Sequence, residues 1–360
     1  MGEMKMEFPY KSLFEPIQIG TWNLRNRITM APMTRCFAED ESGVVDQDIV
    51  EYYRAKAADG ISLIITEGIT VSSRAKGTFN LPGLYTNDQV VSWKKVTDAV
   101  HEEGGTIIAQ LWHVGRLTHR DLIGGFAPQA PSAIRANGHV HRYGKPFDQP
   151  EAMSVVDIKK VIQSFKLCAE NAVRAGFDGV EVHGAHGYLI DQFNSDVTNT
   201  RSDIYGGSLS QRLTFMKEVL SAVIEVTGAN RTSIRFSEHK DDIKEFQWSD
   251  KEEAIKTFIE AFNEVGVKIL HPSVNQYDKV IMNERTFHQL VRKHWDGLII
   301  GVGNLNPELA DNAIKENTIN LAAFGRLILA NPNFVYKLKK GIKLESYDSK
   351  KHLSKLFYNS

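Results

Sequence analysis

Ala175-Gly176-Phe177-Asp178-Gly179-Val180-Glu181-Val182-His183-Gly184-Ala185-His186-Gly187-Tyr188 holds one joint of the fold and the start of its chemistry. An amphipathic helical pattern over 156–175 ends at Gly176, the position past a helix where a left-handed turn favours glycine. A β-rich run over 179–183 follows at once and stops in polar residues. A helix that turns straight back into a strand is the joint of a parallel β/α fold. The same joint recurs at Asp59-Gly60, Glu103-Gly104-Gly105 and Val265-Gly266.

Working outward, β-rich runs lie at 28–31, 61–67, 106–110, 179–183, 232–235, 267–270, 297–301 and 320–323. Helical periodicity separates them, at 89–103, 156–175, 209–226, 251–264 and 306–316. Eight strands alternating with helices predict an α/β chain, a closed (β/α)8 TIM barrel over 1–360 as one domain. Residues 17–24 read as a hairpin around Gly20, a lid on the barrel's bottom. The one long irregular stretch, 111–153, is rich in Gly, Pro and His and follows the third strand. A loop of that length in a compact domain is usually functional, so it is expected to overhang the mouth.

Composition narrows the function classes. A net charge of −1 supplies no field for nucleic acid. The longest apolar runs, such as 61–66 and 298–302, are far too short to span a bilayer. The first six residues carry no apolar signal core, and Met6 stands where myristoylation needs Ser or Thr. Cys36 and Cys168 are the only cysteines and form no C-x-x-C, which suggests free thiols in a reducing cytosol. The expected setting is cytoplasmic, as monomer or homodimer, with a small-molecule substrate, no nucleic acid, no membrane and no metal.

In such a barrel, function sits where strands end. Two chemistries can be read there. The seventh and eighth strands end in Gly303-Asn304 and Gly325-Arg326, turns whose backbone N–H groups, with the Arg, suit a phosphate. The plainer alternative is a pair of tight turns and a surface Arg. On the fourth strand, His183 and His186 with Tyr188 offer two donors for a carbonyl oxygen and a proton source. Ordinary loop histidines under a rim aromatic are the plain alternative. A zinc pair serving a barrel hydrolase is another, though no third ligand stands at a metal spacing.

These motifs, together with Leu24-Arg25-Asn26-Arg27-Ile28-Thr29-Met30-Ala31-Pro32-Met33-Thr34-Arg35, Gln110-Leu111-Trp112-His113-Val114-Gly115-Arg116, Asn199-Thr200-Arg201-Ser202-Asp203 and Phe324-Gly325-Arg326, resemble the old yellow enzyme family from about Leu13 to Leu338. The resemblance implies FMN as cofactor, NADH or NADPH as co-substrate, and reduction of activated C=C bonds. By it, Ala31, Pro32, Met33, Thr34 and Gly68 line the flavin, and Gln110 reads its pyrimidine edge. Arg235 stabilises the negative charge of the reduced flavin, with Arg231 as a rival on the wrong face. Gly303, Asn304, Gly325 and Arg326 hold the phosphate. His183 and His186 grip the substrate oxygen, and Tyr188 protonates the α-carbon. Thr34, where another branch carries Cys, places the chain with the main branch. Iron–sulfur relatives need a cysteine group after the barrel, and none follows Cys168. A flavin-binding protein without turnover is the remaining alternative.

Three departures stand out. Phe236-Ser237-Glu238 replaces the Ser-Pro common after the fifth-strand Arg, so a rebuilt loop is expected there. Gln211 stands where Asn is usual, and the tail after Asn331-Pro332 is short and Lys-rich.

Overall fold

The computed structural model describes residues 9–357, so the reading of the first six residues lies outside the described residues. Eight parallel strands form a closed barrel: β1 (Ile28–Met30), β2 (Leu63–Thr70), β3 (Thr106–Trp112), β4 (Gly179–His186), β5 (Thr232–Lys240), β6 (Ile269–Pro272), β7 (Leu298–Gly301) and β8 (Leu321–Phe324). Each pairs with the next in sequence. The seam closes as β8 meets β1 through Ala322↔Ile28, Ala323↔Thr29 and Phe324↔Met30. Helices α1 (Gln47–Ala58), α2 (Asn87–Glu102), α3 (Val155–Arg174), α4 (Thr214–Thr227), α5 (Lys251–Glu264), α6 (Phe287–His294) and α7 (Pro307–Lys315) link successive strands. Two short helices, Arg326–Ala330 and Phe334–Lys340, complete the eighth unit.

Local chemistry sets these bounds. Capping boxes start α2 at Thr86/Gln89, α3 at Ser154/Asp157 and α6 at Thr286/Gln289, each satisfying two orphan backbone donors. The glycines predicted as joints, Gly60, Gly104, Gly176 and Gly266, all have positive φ. Alternation along the strands then sorts side chains into two cores. Leu63, Ile65 and Ile108 face the lumen with Ile269, Ile300 and Leu321, while Ile64 and Ile107 pack outward against the helices.

The hairpin is found as Ile17–Ile19 against Trp22–Leu24, turning at Gly20 with φ +54°. Ile19, Trp22 and Leu24 join the lumen cluster, and the Trp22 indole donates to the Asp178 carbonyl at 3.0 Å. Asp178 precedes β4, so the hairpin plugs the N-terminal end. Arg231 is bound at that same end, donating to the carbonyls of Asp178 and Phe177.

Several strands run further than the sequence indicates, β5 most of all. After a register shift between Gly184 and His186, pairing resumes at His186↔Lys240, which carries β4 to His186 and β5 to Lys240. The rebuilt segment after Arg235 is thus continued strand. The long 111–153 stretch begins inside β3 and contains one short pairing, Gln129–Ala130 with Glu151–Ala152, and one isolated bridge, His139 with Pro146. Among the described residues, no helix is long and apolar enough to cross a membrane.

If the hairpin is a packed plug, Trp22→Ala leaves a void beneath the barrel and costs about 3–5 kcal/mol. Urea denaturation followed by circular dichroism should show the loss. An unchanged midpoint would mean that the hairpin only rests on the surface.

Candidate active site

Polar side chains from several strands converge in the upper part of the barrel. Glu181 of β4 is fully buried. Its carboxylate accepts from Gln110 Nε2 at 2.8 Å and Ser233 Oγ at 3.2 Å, and lies 2.7 Å from His271 Nδ1. Burial alone would push this carboxyl up. The facing His271, the Arg235 charge and the Gln110 amide outweigh it and hold Glu181 below the usual carboxylate range. Arg235, two residues past Ser233 on the same face of β5, donates to Ser273 Oγ at 3.0 Å. Among the described residues Arg235 Nε and His271 Nε2 have no hydrogen-bond partner.

Above this layer lie the two imidazoles and the phenol. The His183 ring sits 5.3 Å from that of His186 and 5.0 Å from that of Tyr188, edge to face with both. Trp112 stacks beside His183 at 6.1 Å and meets Tyr188 edge-on at 4.9 Å. Desolvation, then the Arg235 charge, holds His183 down at about 3 and His186 well below its ordinary value. Both rings are therefore neutral at physiological pH. His183 Nδ1 accepts the Ala185 N–H at 3.4 Å, which leaves the proton on Nε2. His186 Nε2 lies 2.9 Å from Ser273 Oγ, whose hydroxyl accepts from Arg235 and has its own proton left to donate. When that proton goes to His186 Nε2, the ring carries its own on Nδ1. Each imidazole keeps one N–H donor, fixed in tautomer by the protein. Burial raises the Tyr188 phenol, which keeps its proton.

Two buried ion pairs anchor the loops around these rings. Lys240 meets Asp191 at 2.7 Å, and Arg116 meets Asp242 at 2.5 Å. Asp191 also accepts the Gly187 N–H at 2.7 Å, so the turn carrying Tyr188 is tied to β5. Buried pairs of this kind hold geometry because losing either partner strands a charge.

Two cavities open at this end. The smaller, about 190 Å³, straddles the β8–β1 seam and is lined by Ala31, Pro32, Met33, Gly303, Asn304, Gly325 and Arg326, with Arg235 at its wall. Gly303 has φ +133°, and a Cβ there would meet Val274 at 2.5 Å, so only glycine allows this turn. Arg326 is exposed and has no side-chain partner among the described residues. A glycine-lined turn beside a free guanidinium suits a phosphate. The unpartnered Arg235 Nε and the unused Gln110 Oε1 suit the polar edge of a flavin. On these observations the residues fit FMN.

The larger cavity, about 740 Å³, is lined by Thr34, Trp112, Tyr188, Phe147, Arg142 and Lys244 among others. The long loop contributes Leu117, Asn137, Gly138, His139 and His141, so it does overhang the mouth. Gly68 lies beneath Trp112, where a Cβ would come within 2.5 Å of the indole. Buried Glu67 accepts the backbone N–H groups of Arg35 at 3.0 Å and Cys36 at 3.3 Å, bracing the segment that carries Thr34. Burial pushes the Cys36 thiol up to about 11, which leaves it inert as a nucleophile. The segment after Asn331-Pro332 also reaches the site. Arg35 donates to the carbonyls of His352 and Lys355, and Leu353 lines the cavity.

The residues named from the sequence for cofactor and chemistry lie at one end of the barrel, divided among the seam, the Glu181 layer, the ring cluster and the larger cavity, whereas Arg231, the rival to Arg235, lies at the other end. The Glu181–His271 pair, Ser273 and the two ion pairs were not foreseen. Glu181 and His271 do carry a signal, as charged or polar residues inside otherwise apolar strands. The ion pairs carry none, because their partners are far apart in sequence. Among the described residues no group of three His, Cys, Asp or Glu is placed to hold a metal.

A family model for the NADH:flavin oxidoreductase / NADH oxidase family matches residues 12–345. A flavin oxidoreductase of Emericella nidulans is 37% identical, over 94% of this chain and 93% of its own. 12-oxophytodienoate reductase 7 of Oryza sativa is 34% identical, over 93% and 89%. Among solved structures, morphinone reductase superposes with a TM-score of 0.84 at 33% identity, covering 96% of this chain and 93% of its own. Its complex with tetrahydroNAD superposes equally well, at 34% identity over 94% and 93%. With the family's barrel and a site that fits its cofactor, the chain belongs to the NADH:flavin oxidoreductase / NADH oxidase family, the old yellow enzymes, and is an FMN-dependent oxidoreductase that works with a nicotinamide.

Proposed function

We propose that the enzyme reduces the activated C=C bond of α,β-unsaturated carbonyl compounds in a ping-pong cycle, with NADH or NADPH as electron donor. The observation that carries this reading is the ring cluster: two neutral imidazoles, each with one fixed N–H, around a protonated phenol at the wall of a large cavity. Such a cluster suits a substrate that develops negative charge on a carbonyl oxygen and needs one proton on carbon. Two similar proteins are reductases of 12-oxophytodienoate and of morphinone, which supports the reading.

Gly303, Asn304, Gly325 and Arg326 would hold the FMN phosphate. Ala31, Pro32, Met33, Thr34 and Gly68 would line the flavin, with Gln110 and Arg235 at its polar edge. Bound FMN, reduced by the nicotinamide, supplies the electron pair and hydrogen that the substrate's β-carbon receives. His183 Nε2–H and His186 Nδ1–H hold the substrate oxygen and draw electron density from the alkene. Because both rings stay neutral, they do so by hydrogen bonding and deliver no proton. Tyr188 Oη then gives its proton to the α-carbon. Trp112 and Phe147 help to exclude water. The active unit is expected to be one barrel domain, acting as monomer or homodimer.

Three variants test these roles. Arg326→Ala should weaken FMN binding by about one to two decades, the worth of a charge-assisted contact. Unchanged affinity on titrating the apoprotein would make Arg326 a surface residue.

In the His183→Ala/His186→Ala double variant, FMN content should stay normal while 2-cyclohexenone binding and reduction fall. The imidazoles should add no step to enone binding between pH 5 and 8, since His183 is held down at about 3 and His186 well below its ordinary value. Burial pushes Asp241 on the cavity wall up to about 6 and Glu67 beneath Thr34 up to about 7, so any step there should come from these carboxyls. A step that survives both Asp241→Asn and Glu67→Gln would show that a charged imidazole grips the substrate.

Tyr188→Phe separates the half-reactions. Stopped-flow oxidation of NADH or NADPH should proceed near the wild-type rate, because no proton from Tyr188 is used there. Reoxidation by an enone should slow by about two to four decades, whereas quinones, which take the proton on oxygen, should be largely spared. Equal slowing of both halves, or normal enone turnover, would remove Tyr188 as the acid.

A further inference from the structure

Glu181 is the one carboxylate in the barrel lumen's polar layer, and nothing in the proton chemistry above uses it. A carboxylate accepts and never donates, so the Gln110 amide must face it with Nε2. Gln110 Oε1 is thereby the side left over, and it has no donor among the described residues. A flavin's pyrimidine edge offers one N–H donor, at N3, between two carbonyl acceptors. A rotated amide would turn a donor where an acceptor is needed. Glu181 is itself held from three strands, by Gln110 of β3, Ser233 of β5 and His271 of β6. Its charge lies within electrostatic reach of Arg235.

We propose that Glu181 is a positioning residue for the cofactor. It locks the Gln110 amide with its oxygen available to flavin N3–H, and its charge, set against Arg235, holds the flavin's reduction potential down. The inference rests on the assignment of Gln110 and Arg235 to the flavin's polar edge. It makes two separable claims, one geometric through Gln110 and one electrostatic through charge. Reduction adds negative charge near that edge, so a fixed carboxylate disfavours the reduced state, whereas the N3–H contact to Gln110 is available in both states.

The test uses full-length apoprotein titrated with FMN, and reductive titration of the reconstituted enzyme against a reference dye. Glu181→Gln keeps the shape of the side chain. Its carbonyl can stand in for the carboxylate oxygen facing Gln110, while its amide nitrogen donates to the Ser233 hydroxyl and to His271 in the other tautomer, so the layer and the Gln110 lock survive. This variant should bind oxidised FMN about as tightly as the wild type. Its potential should rise, by about 30 mV for each tenfold by which reduced FMN comes to bind more tightly. Glu181→Leu removes the acceptor and should bind oxidised FMN about tenfold more weakly, the scale of one neutral hydrogen bond. Gln110→Leu, a third variant that keeps Glu181, should show that affinity loss with little change in potential. Adding Glu181→Leu to Gln110→Leu should cost no further affinity yet should still raise the potential.

An equal loss from Glu181→Leu in both backgrounds would mean a general packing defect and overturn the geometric claim. An unchanged potential would overturn the electrostatic one. Wild-type affinity in Gln110→Leu would also overturn the lock. A wild-type protein that binds no FMN would instead bring down the functional reading on which the inference rests.

Discussion

Closure of the sheet between β8 and β1 is the constraint on which the rest of the molecule depends. It pairs residues near 28 with residues near 322 and leaves no open edge, so every strand is held from both sides. The same seam makes the cofactor cavity. Ala31–Met33 leave β1 and Gly325–Arg326 leave β8 at adjacent points, though nearly the whole chain lies between them. A β8 that failed to dock would leave the lumen exposed and split the phosphate turns from the flavin wall. Stability of the barrel and assembly of the site are one event.

Closure also creates an electrostatic problem that the upper lumen solves. Arg235, Glu181, His271 and His183 are buried and His186 is half-buried beside them, where an unpaired charge is costly. The two charged members face each other across β4 and β5, and the imidazoles are forced neutral. Neutrality is what makes His183 and His186 single, oriented donors in place of competing acids. The proton source is then left to Tyr188, whose phenol burial keeps protonated. Division of labour in the site follows from burial as much as from residue type.

Much of this was legible before any coordinates. The glycines at 60, 104, 176 and 266 marked the helix-to-strand joints, because only a left-handed residue allows that turn, and all four adopt it. The ring cluster and the phosphate turns were readable because each lies within a few residues of one strand end. What escaped was non-local. Read locally, the fifth strand stops at Arg235, because Ser237, Glu238, His239 and Lys240 look like loop. In the fold, pairing with His186 carries the strand onward, and Lys240 meets Asp191, 49 residues away. Arg116 and Asp242 are 126 residues apart and leave no trace in local pattern. Glu181 sat in plain view within an apolar run, but only the barrel brings Gln110, Ser233 and His271 to it.

The central claim is that one cofactor spans the seam, with its phosphate on the β7 and β8 turns and its ring toward the His–Tyr cluster. Competitive titration of the apoprotein with FMN and with riboflavin, which lacks the phosphate, tests it most directly. The account predicts FMN to bind tighter by at least about two decades, the worth of a phosphate held by backbone amides and one guanidinium. Equal affinity for the two flavins would contradict it, since the seam turns would then contribute nothing to holding the cofactor.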